Sequence, residues 1–90
     1  MNKAELVQKV ALKAEVSHVD AERVVDELLG LIEEALVRGE EVKLSGFGIF
    51  AKKERAARNG TNPANGQKIL IPAAKSVAFK PSKTLKEKLN

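Results

Sequence analysis

Ninety residues allow one small domain at most, and a chain with no cysteine has neither disulfides nor thiolate metal sites to support its core. The apolar runs are a few residues long, short of a membrane span, and Met1–Val7 lacks the apolar centre of an export signal, so a cytoplasmic location is expected. Net charge is +4 but split: residues 1–41 carry five Lys/Arg against ten Asp/Glu, and residues 42–90 carry eleven against two, which makes the second half an anion-binding surface.

The chain opens on a helix. Asn2 stands as its cap with Glu5 three residues on, a capping-box pattern, and Leu6, Val7, Val10, Ala11 and Ala14 recur at helical spacing. A second helix starts at Ser17, with Asp20 in its first turn. Val24, Val25, Leu28, Leu29, Ile32, Ala35 and Leu36 predict one buried stripe along it. Gly39 is the expected stop, because glycine accepts the left-handed conformation that follows a last helical turn.

The periodicity changes after residue 40. Val42 and Leu44 alternate with polar neighbours, Gly46 and Gly48 bracket Phe47, and Ile49 and Phe50 follow, which predicts two short strands joined by a tight turn. Charge then rises through Ala51–Asn59. Gly60–Gly66 is rich in turn formers, and Lys68–Ile71 is a second extended run. Residues 52–76 are therefore expected to form one long two-stranded hairpin, an arm. With about eleven residues per strand it would reach roughly 36 Å at ~3.3 Å per residue. Val77, Ala78 and Phe79 return to a sheet, and a short helix runs from Lys83 to Leu89, begun near Ser82.

The predicted fold is thus α+β: an N-terminal helix pair, a three-stranded antiparallel sheet extended into a β-ribbon arm, and a short C-terminal helix. As a single domain over 1–90 it divides into a helical dimerisation body (about 1–40), sheet (about 41–51 and 77–81), arm (about 52–76) and terminal helix (about 83–89). An isolated ribbon contributes little to a core, so about 65 residues are left to build one, too few to do so comfortably. The expected solution is a homodimer in which two chains share a core of Leu29, Ile32, Leu36, Leu44, Phe47, Phe50 and Phe79.

No catalytic constellation is present. His18 is the only histidine, the basic half holds just Glu54 and Glu87 as carboxylates, and no phosphate-cradling glycine loop follows a strand. No cofactor or metal is expected. The arm carries Lys52, Lys53, Arg55, Arg58, Lys68 and Lys75, with guanidinium groups suited to a narrow minor groove and lysines to phosphates. Pro63 at its tip has the shape of an apolar wedge that enters between base pairs, and Asn62 beside it has groups for base edges or sugars. A second basic group, Lys80, Lys83, Lys86 and Lys88, would with Lys3 hold flanking DNA. These residues point to duplex DNA, nicked or distorted DNA included, read by shape more than by sequence. RNA is a second polyanion of the same chemistry; a membrane is not a partner.

The combination Gly46-Phe47-Gly48-Ile49-Phe50, Glu54-Arg55-Ala56-Ala57-Arg58, Gly60 and Asn62-Pro63 resembles the HU/IHF family of bacterial histone-like nucleoid proteins. So do Met1-Asn2-Lys3 with Glu5-Leu6, Ile71-Pro72-Ala73, and Ala78-Phe79-Lys80-Pro81 with Lys83 and Leu85-Lys86. The resemblance spans the chain. It implies an intertwined dimer whose two arms embrace DNA, with Pro63 intercalating, Arg55 and Arg58 in the minor groove, and Lys3, Lys80, Lys83 and Lys86 as body contacts. It is closer to the non-specific HU branch, with an IHF-like sequence-preferring DNA bender as the alternative. A protein-interaction module that binds acidic partners stands as a third reading.

Several positions depart from the HU pattern. Thr61 and Lys53 stand where arginine is common, Asn65 where threonine is, Val77 where proline is, and Ser82 where glycine is. Glu15 replaces a frequent inter-helix glycine, a change expected to stabilise if the backbone there is not left-handed.

Overall fold

Asn2 starts the first helix as expected: its side-chain oxygen accepts from the Glu5 N–H at 2.9 Å, satisfying one of the donors that a helix start leaves unpaired. The structure, a computed structural model, describes residues 1–90. Helix α1 spans Lys3–Ala14, and α2 spans His18–Val37 behind a Ser17 cap whose hydroxyl accepts from Asp20 N–H at 3.1 Å. Gly39, at φ +81°, ends α2 as predicted. Its N–H bonds to Leu36 O and that of Glu40 to Ala35 O, the paired closure that a left-handed residue permits.

The chain divides into two compact units, Met1–Glu34 and Ala35–Asn90, with α2 running from one into the other. In the first, Val7 of α1 and Ala21 and Val25 of α2 are the buried core, with Val10 and Ala11 packed on it. Val7, Ala21 and Val25 are the only buried hydrophobic residues of the chain. Of the predicted α2 stripe only Val25 is buried; Val24, Leu28 and Leu29 are exposed, as is Leu31 beside them. The reason is geometric. A short α1 covers the row of α2 that carries Ala21 and Val25.

Glu15 is a second correction. It sits after the last residue of α1 at φ 55°, ψ 46°, the left-handed region, with its N–H bonded to Ala11 O. The expected stabilisation by replacing glycine required an ordinary backbone, so the sign reverses: a side chain here is strained.

In the second unit, β1 (Val42–Leu44), β2 (Gly48–Arg55) and β5 (Ala74–Pro81) form an antiparallel sheet in the order β1-β2-β5. The turn between β1 and β2 closes through Phe47 N–H to Leu44 O at 3.0 Å, with Gly46 at φ +78°. Gly48 is required for another reason. A Cβ there would lie 2.6 Å from the Lys80 carbonyl oxygen and 2.5 Å from the Phe79 ring. Phe50 and Phe79 are directly opposed in the register, their ring centroids 4.7 Å apart, and Phe47 lies 5.3 Å from Phe79. Ser82 caps α3 (Lys83–Leu89), its hydroxyl accepting from Leu85 N–H at 3.1 Å, a bond that a glycine at this position would lack.

The arm is not the single hairpin expected over residues 52–76. Strands β2 and β5 pair as far as Arg55↔Ala74; a separate two-stranded sheet then forms from β3 (Arg58–Thr61) and β4 (Lys68–Ile71), starting at Arg58↔Ile71. The register is continuous across the gap, so Ala56-Ala57 and Pro72-Ala73 are an interruption in one ribbon and not a slip. Pro72 explains it: proline has no N–H for a ladder and is tolerated only where pairing lapses.

Candidate nucleic-acid interface

The register sorts the basic residues. Directly opposed residues in an antiparallel pair share a face, and successive residues alternate. Val42, Phe50, Phe79, Lys52, Val77, Glu54 and Lys75 therefore share one face of the β1-β2-β5 sheet. The other face carries Lys43, Ile49, Lys80, Ala51, Ala78, Lys53, Ser76, Arg55 and Ala74. Beyond Ile49, the residues between its cations are alanine and serine, small enough for a broad polyanion to approach the backbone.

Lys53, Arg55 and Lys80 are brought together on this face, and Lys52 and Lys75 lie on the aromatic one. Lys52 is also paired with Glu54 at 3.7 Å, whereas Lys53 and Lys80 have no carboxylate partner. Lys43 belongs to the basic face as well. Sequence reading missed it, and the available signal was its place in the alternation of β1, opposite Ile49. Its Nζ lies 3.9 Å from a Glu41 oxygen, a loose and exposed pairing.

Beyond the interruption, Arg58, Gly60, Ile69 and Ile71 share one face of the β3-β4 sheet, and Asn59, Thr61, Leu70 and Lys68 share the other. Arg58 and Lys68 are thus on opposite faces. Arg55 marks the interruption itself: its guanidinium donates to the Pro72 carbonyl at 3.3 Å. Pro72 lies in the stretch where the ladder lapses, so the bond satisfies an acceptor left without a strand partner.

The tip is a compact turn. Asn62 N–H bonds to Gln67 O at 2.7 Å, Gly66 N–H returns to Asn62 O at 2.8 Å, and Pro63 is exposed between them. The Asn62 side-chain oxygen accepts from Ala64 N–H at 2.9 Å, so it braces the turn, leaving its amide nitrogen for an outside partner. Asn65, three residues on, also braces the turn, its side-chain oxygen accepting from Gln67 N–H at 3.0 Å.

The remaining cations are distributed over both units. Lys83 and Lys86, three apart on α3, follow directly from the strand that carries Lys80. Lys3 lies in the first unit and is paired with Asp26, whose hydrogen bond and charge raise its pKa above the ordinary lysine value of 10.5. No three His, Cys, Asp or Glu side chains come together as a metal site, and no helix is long and apolar enough to cross a membrane.

The family model described as bacterial DNA-binding protein matches residues 1–90. The chain belongs to this family. Its relatives include the DNA-binding protein HU-1 of Halalkalibacterium halodurans, 49% identical over 90 residues with both chains fully covered. The DNA-binding protein HU-beta of Salmonella typhimurium is 46% identical over the same length, again with full coverage. These relatives are named for DNA binding, and none is named as an enzyme. Among solved structures, the chain is similar to that of the Anabaena HU–DNA cocrystal, at 45% identity and a TM-score of 0.87, covering 99% of this chain and 97% of that one. Helix pair, antiparallel strands and terminal helix are the family's fold, as the sequence resemblance implied.

Proposed function

We propose that the protein is an architectural DNA-binding protein of the HU type, which binds duplex DNA with low sequence preference and bends it. The observation that carries the reading is the sorted face: Lys53, Arg55 and Lys80 lie on one side of the sheet with alanines and serine between them, and none of the strand-paired residues on that side is acidic. Phosphates would lie against the lysines, which makes affinity strongly salt-dependent, because each neutralised phosphate releases counterions. Few side chains suited to base edges accompany them, so the shape and deformability of the duplex govern selection. Pro63 at the exposed turn acts as the wedge between base pairs, and Lys80, Lys83 and Lys86 with Lys3 hold the flanks of the bent duplex.

The working unit is a homodimer. Three buried hydrophobic residues do not support a stable 90-residue chain, and Leu29, Phe47 and Phe79 are 45%, 47% and 40% exposed in the single chain. A second copy would cover them, with Ile32, Leu36, Leu44 and Phe50, which are half-buried already.

The deciding experiment compares affinity for random and selected duplexes at one stated salt concentration. A ratio below about 10³ supports the HU-type reading, and a larger one favours an IHF-like, sequence-preferring protein. Affinity that does not change with salt would overturn phosphate binding altogether. Pro63→Ala should preserve folding while reducing the bend and the preference for nicked over intact duplex; an unchanged bend would remove the wedge.

A further inference from the structure

Asparagine followed by glycine is chemically labile because glycine has no side chain to obstruct attack by its own backbone nitrogen on the asparagine carboxamide. The chain has five asparagines, and two of them, Asn59 and Asn65, precede glycine. Asn62 precedes Pro63, whose nitrogen carries no proton to lose, and so cannot react this way.

The two Asn-Gly pairs sit in opposite circumstances. Asn59 and Gly60 are in the β3-β4 ladder, opposite Leu70 and Ile69, and the Ile71 side chain crowds Gly60, its Cδ1 lying 2.8 Å from where a Cβ would stand. Closing a ring there means opening the ladder. Asn65 and Gly66 are exposed in the tip turn, outside any strand. The Asn65 side chain is folded forward so that Oδ1 accepts from Gln67 N–H at 3.0 Å, which lays the carboxamide across the Gly66 peptide. That N–H points at the oxygen on which negative charge develops as the nitrogen adds, a small preorganised oxyanion contact. Gly66 N–H is bonded to Asn62 O at 2.8 Å, and this local bond, not a strand ladder, is what must open first.

We propose that Asn65-Gly66 is a site of spontaneous deamidation that changes the arm tip from neutral to negative and thereby loosens its hold on DNA. The deprotonated Gly66 nitrogen attacks Cγ of Asn65 and the side-chain nitrogen leaves as ammonia, closing a succinimide. Water then opens the ring to aspartate or isoaspartate, so the balance is one water consumed and one ammonia released, with no change of oxidation state. The consequence for DNA rests on the function proposed above; the chemistry at the tip does not.

The test ages the purified protein in mildly alkaline and mildly acidic buffer and follows intact mass, released ammonia and a peptide map. Conversion should be faster at the alkaline pH and should concentrate at residue 65, with Asn59 lagging by about tenfold or more because its ladder must open. Asn65→Gln, whose longer side chain would have to close a larger ring, should remove it while the circular dichroism spectrum stays the same. No conversion at Asn65, or equal conversion at Asn59, overturns the site. In a second arm, Asn65→Asp should bind a duplex about threefold more weakly than the parent at low salt, since a new charge of the phosphates' own sign stands at the tip. Equal affinity overturns the loosening. Failure of the parent to bind DNA would instead count against the proposed function and leave the mass result standing.

Discussion

Glu15 shows how one backbone angle decides the sign of a substitution. A non-glycine residue in the left-handed region costs about 1–2 kcal/mol, and Glu15 has no side-chain bond that offsets it. Glu15→Gly should therefore raise stability by about 1 kcal/mol after the entropy that glycine adds to the unfolded chain, or Tm by roughly 4–8 °C, measured by thermal unfolding. A lowered Tm would contradict the assigned conformation. Lys3 shows the same dependence on a single partner. Because Asp26 raises its pKa, the pair's contribution is complete below the ordinary lysine value of 10.5 and is lost as pH climbs through the raised folded-state value. Between about pH 6 and 9 Asp26→Asn should lower Tm slightly and by a constant amount, with the gap to the parent closing only in strong alkali. The side chains are exposed, so the effect is small.

At the scale of elements, the arm is a ribbon with two faces and one interruption. Lys52 and Lys53 are sequence neighbours of identical chemistry that the alternation of a strand puts on opposite faces, and the register adds Lys80 to the face of Lys53. Lys53→Gln should weaken DNA binding across all sequences and reduce the slope of log affinity against log salt by about 0.9 for each phosphate that is no longer neutralised. Lys52→Gln, on the aromatic face and paired with Glu54, should leave the slope unchanged; equal effects would refute the sorting. The interruption bears on Arg55 and Arg58. Strict alternation along one flat ribbon would put them on opposite faces, so meeting one groove together requires a rotation at Ala56-Ala57 and Pro72-Ala73. Arg55 must also give up its bond to the Pro72 carbonyl, or use the nitrogens that this bond leaves free, to reach a groove.

At the scale of the whole molecule, the exposed apolar residues decide the oligomeric state. If two chains share the core, folding is tied to association, and tenfold dilution should lower Tm by roughly 3–6 °C, with sedimentation reporting twice the chain mass. A monomer whose Tm ignores concentration would refute the shared core. Much of this protein follows from sequence alone: the caps at Asn2 and Ser17, the stop at Gly39, the glycine turn around Phe47, the basic second half and the proline at the arm tip. These rest on rules that act within a few residues, where propensity, hydrogen-bond capacity and charge are properties of the chain itself. Tertiary structure alone decided that the arm lapses opposite Pro72, that Lys80 and Lys43 join the face of Lys53 and Arg55, and which row of α2 is covered by α1. Each of these depends on which distant residue stands opposite, and pairing across the chain is a choice that no local pattern makes.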